Sequence, residues 1–171
     1  MLTEIIKIKG DWEEVVNDCR ATVAKKELGK EPSREFKKAI LISEHDPIRD
    51  IEIKFRWRNI PYWIAMHWKT HIWRSRTNTQ RNDRQGDYDR TEAPQKAPVD
   101  MMWSVNGEEL ITIANKRLCN LASKETRELV QMICDKVIEV CPEFKEELVP
   151  MCVRNGGVCY EMFPCGEKRS G

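Results

Sequence analysis

The chain has 171 residues, a third of them charged, and its 29 Lys and Arg balance 28 Asp and Glu to a formal net charge of +1. That length suits one domain able to bury about two-thirds of its unfolded surface, and the balance excludes a uniformly basic coat that would bind polyanions indiscriminately. No stretch approaches the roughly 18 apolar residues of a membrane span. The opening residues MLTEIIKIKG lack the apolar centre of a secretory signal, so a soluble, cytoplasmic protein is expected, with its seven cysteines reduced.

Residues 4–9 alternate apolar and polar as a half-buried strand does, and Gly10-Asp11 offers a turn and helix cap before WEEVVNDCRATVAKK. Glu31-Pro32-Ser33 marks a second helix start, with Phe36, Ile40 and Leu41 on one face and a stop near His45-Asp46-Pro47. Ile51, Ile53, Phe55 and Trp57 point one way and Glu52, Lys54 and Arg56 the other, the period of a strand with one buried face. Pro61 opens a long helix through YWIAMHWKTHIWRSR, and residues 75–101, polar and punctuated by Gly86, Pro94 and Pro98, read as an exposed or substrate-covering loop. From Val105 to Val140 the pattern is helical, as two helices or one bent one, up to the break at Cys141-Pro142. Residues 1–150 form the main domain in this reading, and residues 151–171 a tail rich in Cys, Gly and Pro that packs on it.

Three ordered segments carry a more specific message. Lys69-Thr70-His71, seven residues, then Thr79-Gln80-Arg81 has the spacing of an R-H-R-x7-S-x-R motif. Arg90-x3-Pro94 stands where an R-x3-P is found, and Trp103-Ser-Val-Asn106 with Arg117-Leu-Cys-Asn-Leu-Ala122-Ser-Lys-Glu125-Thr-Arg-Glu-Leu129 follows W-x-V-N-A-R and L-R-x4-A-Q-x-E-I-R-E-L. In these segments the chain resembles the flavin-dependent thymidylate synthases (ThyX), as a short, divergent, phage-like member.

The resemblance implies an α/β (α+β) fold, a small antiparallel or mixed sheet packed with long helices, in a homotetramer whose active sites are shared between subunits. It implies FAD as cofactor, NADPH and methylenetetrahydrofolate as co-substrates, and methylation of dUMP at C5 to give dTMP. By the same resemblance Lys69, Thr79, Gln80, Arg81, Arg90 and Arg117 hold the nucleotide, Lys69, Thr70, His71, Asn106 and Arg117 touch the flavin, and Arg117 serves both. The chemistry suits those types: guanidinium forks for a dianionic phosphate, neutral hydrogen-bonding groups for a base.

The departures keep alternatives open. Lys69 retains charge without the bidentate fork, and His71 loses permanent charge. Glu108 stands where the family has Arg, and Arg49 where it often has Glu; a compensating contact across a subunit interface is one way to reconcile the two reversals. A related modification of another pyrimidine nucleotide (dCMP methylation or hydroxymethylation) and a non-catalytic nucleotide-binding remnant remain as alternatives. So does a nucleic-acid grip by Arg74, Arg76, Arg81 and Arg84, against which the interspersed Asp83, Asp87 and Asp89 weigh. Trp63, Trp68 and Trp73 read as core or interface more than as a stacking platform. No metal is expected: His67 and His71 lack a third ligand nearby, and Cys141, Cys152, Cys159 and Cys165 lack the tight pair typical of zinc.

Overall fold

The computed structural model describes residues 1–69, 74–78, 89 and 91–165. Four strands, β1 (Leu2–Lys9), β2 (Glu52–Pro61), β3 (Arg74–Thr77) and β4 (Pro98–Asn106), form one sheet in the order β1-β2-β4-β3 with every neighbour antiparallel. The helices are α1 (Trp12–Ala21), α2 (Arg34–Ser43), α3 (Tyr62–Lys69), α4 (Gly107–Arg117), α5 (Lys124–Val140) and α6 (Met151–Arg154), with 3₁₀ turns at Asp46–Asp50 and Pro142–Glu146. The expected class, an antiparallel sheet packed with helices, is what the chain forms.

Strand alternation builds the core. Ile53, Phe55 and Trp57 of β2 and Met101, Trp103 and Val105 of β4 are all 2% exposed or less, on the inner face of a pleat whose neighbours alternate outward. Trp68 of α3 meets both central strands edge-on, its ring centroid 5.2 Å from that of Trp57 and 5.2 Å from that of Trp103. Aromatic pairs in this geometry add about 1 kcal/mol each beyond their burial. Trp68 is therefore core, as expected; Trp73 lies outside the described residues.

Side chains start the helices where the sequence offers caps. Asp11, Ser33 and Ser123 accept from the amides of Glu14, Phe36 and Thr126, and Asn106 and Glu109 form a reciprocal capping box at α4. Gly10 takes φ +74°, and a Cβ there would lie 2.2 Å from the Asp50 carbonyl oxygen, so the turn between β1 and α1 closes against β2 only with glycine.

Two expectations need correction, and one left open is settled. The helix after Pro61 ends at Lys69, and Arg74–Thr77 is a strand. Residues 98–106 are β4, so the polar segment ends earlier than 101. The 105–140 stretch is two helices, parted at Leu118–Ser123, where Arg127 turns back to donate to the carbonyls of Asn120 (3.1 Å) and Ala122 (2.6 Å). Those bonds satisfy carbonyls that a continuous helix would have paired internally.

Arg154 is the best-connected tie between the residues after 147 and the domain. Arg154 donates to the carboxylates of Glu44 and Glu147, the latter at 2.5 Å, to Asn115 Oδ1 at 3.3 Å, and to the Leu41 and Ile42 carbonyls at 3.3 Å, at the C-terminus of α2. Asn115, buried, donates in turn to the carbonyls of Glu147 and Val149 at 2.9 Å. Removing one partner of a buried pair leaves the other charge desolvated and uncompensated. Arg154→Ala is expected to cost about 3 kcal/mol in urea unfolding; a loss under about 0.5 kcal/mol would contradict this assignment.

Asp50, at the entry to β2, has its carboxyl pushed up to about 6 from an ordinary 3.8, by burial first, then by a hydrogen bond with Asp18 and repulsion from Asp18, Glu14 and Asp46. A folded-state pKa above the unfolded one means the native chain holds the extra proton. This group's contribution is complete below pH 3.8 and is lost as pH rises through about 6. Asp50→Asn keeps the hydrogen bond without needing that proton. It is expected to match wild type in melting temperature near pH 4 and exceed it at pH 7.5, by on the order of 1 kcal/mol after screening; a difference constant with pH would contradict the shared proton.

Candidate active site

Helix α4 frames the site. Asn106 caps its N-terminus and Arg117 closes its last turn. The stripe of α4 between them carries Leu110 and Ile113, 0% and 3% exposed, so that face packs into the core and Asn106 and Arg117 stand at its two ends, about 16 Å of helix rise apart.

At the Arg117 end, the guanidinium carbon lies 5.6 Å from the centroid of the Trp68 ring. Such cation–π contact is worth about 1 kcal/mol and holds the fork in place. Partial burial pushes the Arg117 pKa down, the mark of a cation that gains by meeting an anion. His67, on the same turn of α3 as Trp68, has its pKa pushed down by burial and then by the Arg117 charge, so its imidazole is neutral at pH 7. The structure thus joins the C-terminal turn of α3, which ends on Lys69, to Arg117. The sequence treated His67 only as half of a metal pair; its proximity to Arg117 arises from α3 and α4 meeting over β4, for which no local pattern gives a sign.

At the Asn106 end the two charge reversals meet inside one chain. Arg49 Nε donates to Glu108 Oε2, and Arg49 Nη1 lies 2.7 Å from Asp46 Oδ1. Arg49 pKa is raised by the hydrogen bond and charge of Glu108. The contact expected across a subunit interface is therefore intramolecular. Gly107 makes it possible: a Cβ there would stand 2.7 Å from the Ile48 carbonyl oxygen, so the 46–50 turn approaches the helix start more closely than the family's alanine would allow. Asn106 Oδ1 accepts from Glu109 N at 2.9 Å, which leaves its side-chain NH₂ to donate.

Among the expected site residues, Lys69, Asn106 and Arg117 are described, and Lys69 is exposed. Thr70, His71, Thr79, Gln80, Arg81 and Arg90 lie outside the described residues, as do Arg84 and His71's role beside His67. Among the described residues no group of three or more His, Cys, Asp or Glu is arranged to hold a metal. All seven cysteines are free thiols; burial pushes Cys134 up to about 12 and raises Cys141, which makes both poor nucleophiles. No helix among the described residues is long and apolar enough to cross a membrane.

The fold is that of the flavin-dependent thymidylate synthases. The chain superposes on ThyX from Helicobacter pylori, solved with FAD and dUMP, with TM-score 0.71 at 11% identity over 87% of this chain and 100% of that one. A second structure of that enzyme with the same ligands gives TM-score 0.64 at 11% identity, over 79% and 92%. The UMP/dUMP methylase PolB from Streptomyces cacaoi, bound with 5-Br dUMP, gives 0.68 at 11% identity, over 85% and 93%. The family model for thymidylate synthase complementing protein (Thy1) matches residues 83–143, a span that includes β4, α4 and α5. No curated protein matches the chain by sequence. The family model covers about a third of the chain, and the solved structures share its fold.

If the Arg49–Glu108 pair neutralises the reversed charge locally, Glu108→Arg alone sets two arginines side by side and lowers the melting temperature. Arg49→Glu with Glu108→Arg restores most of it. Equal melting of single and double variants would show that the pair carries no coupling.

Proposed function

We propose that the chain is a flavin-dependent thymidylate synthase-like enzyme, methylating dUMP at C5 with FAD as cofactor and NADPH and methylenetetrahydrofolate as co-substrates. The observation that carries it is the partly desolvated guanidinium of Arg117, held over Trp68 where the ends of α3 and α4 meet, with the donor amide of Asn106 at the other end of α4. The solved relatives of this fold from Helicobacter pylori are described with FAD and dUMP, which supports the same pairing here.

The residues fit such a cofactor. Glu108, whose carboxylate would repel an anionic cofactor, is already engaged by Arg49, so the site does not present a bare negative charge. The flavin, when bound, supplies the hydride chemistry. Asn106 donates its amide to the cofactor's polar edge. Arg117, held over Trp68, orients the base and meets negative charge, and neutral His67 beside it leaves that cation unopposed by a second one. By resemblance Thr79, Gln80, Arg81 and Arg90 hold the nucleotide phosphate, Lys69 reaches the nucleotide and cofactor, and Thr70 and His71 reach the cofactor. The homotetramer with shared sites is part of the same proposal. No cysteine is needed as a nucleophile, in keeping with the raised pKa of Cys134 and Cys141.

The test is product formation: dUMP, methylenetetrahydrofolate, NADPH and FAD with the purified protein should yield dTMP by chromatography. Arg117→Ala should weaken dUMP binding by about 10- to 100-fold, the value of a charged hydrogen bond, with melting temperature little changed. Turnover of dCMP in place of dUMP would redirect the substrate assignment, and tight dUMP binding with no product would favour the non-catalytic reading.

A further inference from the structure

A lateral chain of polar contacts crosses all four strands near the start of β4. Between Trp57, opposite Met101, and Ile60, opposite Val99, strand β2 sets two residues, Arg58 and Asn59, against the single Asp100 of β4, which makes a β-bulge. Asn59 takes φ +55° there, a left-handed conformation that asparagine tolerates, and its amide donates to Asp100 Oδ1 at 3.0 Å. Arg58 Nη1 lies 3.5 Å from Asp100 Oδ2, and Arg58 Nε donates to Glu4 Oε2 of β1 at 3.0 Å. The bulge thus fixes Asp100 from the β2 side.

On its other side Asp100 meets Asn78, the first residue past β3. Antiparallel residues in a hydrogen-bonded pair exchange two main-chain bonds. The Asn78 amide donates to the Asp100 carbonyl at 3.2 Å, but the return bond, from the Asp100 amide, goes to Asn78 Oδ1 at 3.0 Å. The side chain stands in for the Asn78 carbonyl, so the main chain is released from the ladder at this residue without orphaning the Asp100 amide. One asparagine therefore sets where the chain leaves the sheet. Its direct successors are Thr79, Gln80 and Arg81.

We propose that Asn78 and Asp100 are positioning residues for the nucleotide phosphate: their paired bonds, braced by the β2 bulge, aim the Thr79-Gln80-Arg81 segment as it departs from β3. The proposal rests on the assignment of the phosphate to those three residues. A guanidinium fork and a hydroxyl grip a phosphate through directional bonds, and a site loses its ligand when its supports let it drift by about 0.5 Å or more. Asn78 is exposed and Asp100 half-buried, so water can serve the Asp100 amide once the asparagine oxygen is gone, and the fold loses little. What is lost is the direction of the chain. Asp100 touches no ligand in this account; it acts through Asn78.

The experiment is calorimetric titration of the full chain with dUMP and with deoxyuridine, whose difference isolates the phosphate. Asn78→Ala should weaken dUMP binding about tenfold or more while leaving deoxyuridine binding and melting temperature unchanged. Asp100→Ala should act in the same phosphate-selective way, and Asp100→Asn, which keeps an oxygen for the Asn59 amide, should bind dUMP as wild type does. Without ligand, hydrogen exchange of the Asp100 amide, followed by NMR, should be faster in Asn78→Ala. An unchanged exchange rate, wild-type dUMP affinity in Asn78→Ala, or equal loss of dUMP and deoxyuridine binding would each overturn the positioning role and leave the proposed function standing. A wild-type chain that binds dUMP no better than deoxyuridine would instead sink the phosphate assignment, and the positioning role with it.

Discussion

Everything the candidate site does depends on where Trp68 sits. Its ring is 1% exposed and wedged between Trp57 and Trp103, which fixes the last turn of α3 against the two central strands. The same ring lies under Arg117. One buried side chain therefore sets the distance between the end of α3, which carries the first signature residue, and the end of α4, which carries the last. A smaller residue there would leave a cavity and also free the guanidinium, so packing and site geometry are one problem at this position.

The other end of α4 is set by backbone proximity. Gly107 lets the 46–50 turn come close enough for Arg49 to reach Glu108. A position that reads in sequence as a reversed charge is thus neutralised locally by Arg49, delivered from a different element. Whether a ligand meets a positive or a negative edge there depends on the pair and not on residue 108 alone. The pair is partly exposed, so its role is local neutrality more than stability.

Much of this was legible in the chain itself, for identifiable reasons. Strand β2 alternates strictly, so it was read correctly; the spacing of Leu110, Ile113 and Ala114 gave the helical pattern of α4 but neither its Asn106 cap nor its boundary with β4. The spacing of Trp103, Asn106 and Arg117 carried the family likeness. Strand β3 was not legible, because it is four residues at a sheet edge whose Ser75 and Thr77 supply no apolar alternation, and tryptophans on either side of Lys69 prolonged a helical pattern that ends there. The contacts between Arg49 and Glu108, and between Arg117 and His67, join residues 59 and 50 positions apart. Periodicity and spacing describe one element at a time and do not report which ends meet.

The central claim is that the site framed by the two ends of α4, Asn106 and Arg117, receives a flavin. The most direct measurement is the visible absorption spectrum of the purified protein incubated with FAD, freed of excess cofactor, then treated anaerobically with NADPH in the presence and absence of dUMP. The account predicts retained flavin bands that NADPH bleaches. A protein that emerges colourless at any FAD concentration would contradict it, leaving α4 as the scaffold of a nucleotide site without its cofactor.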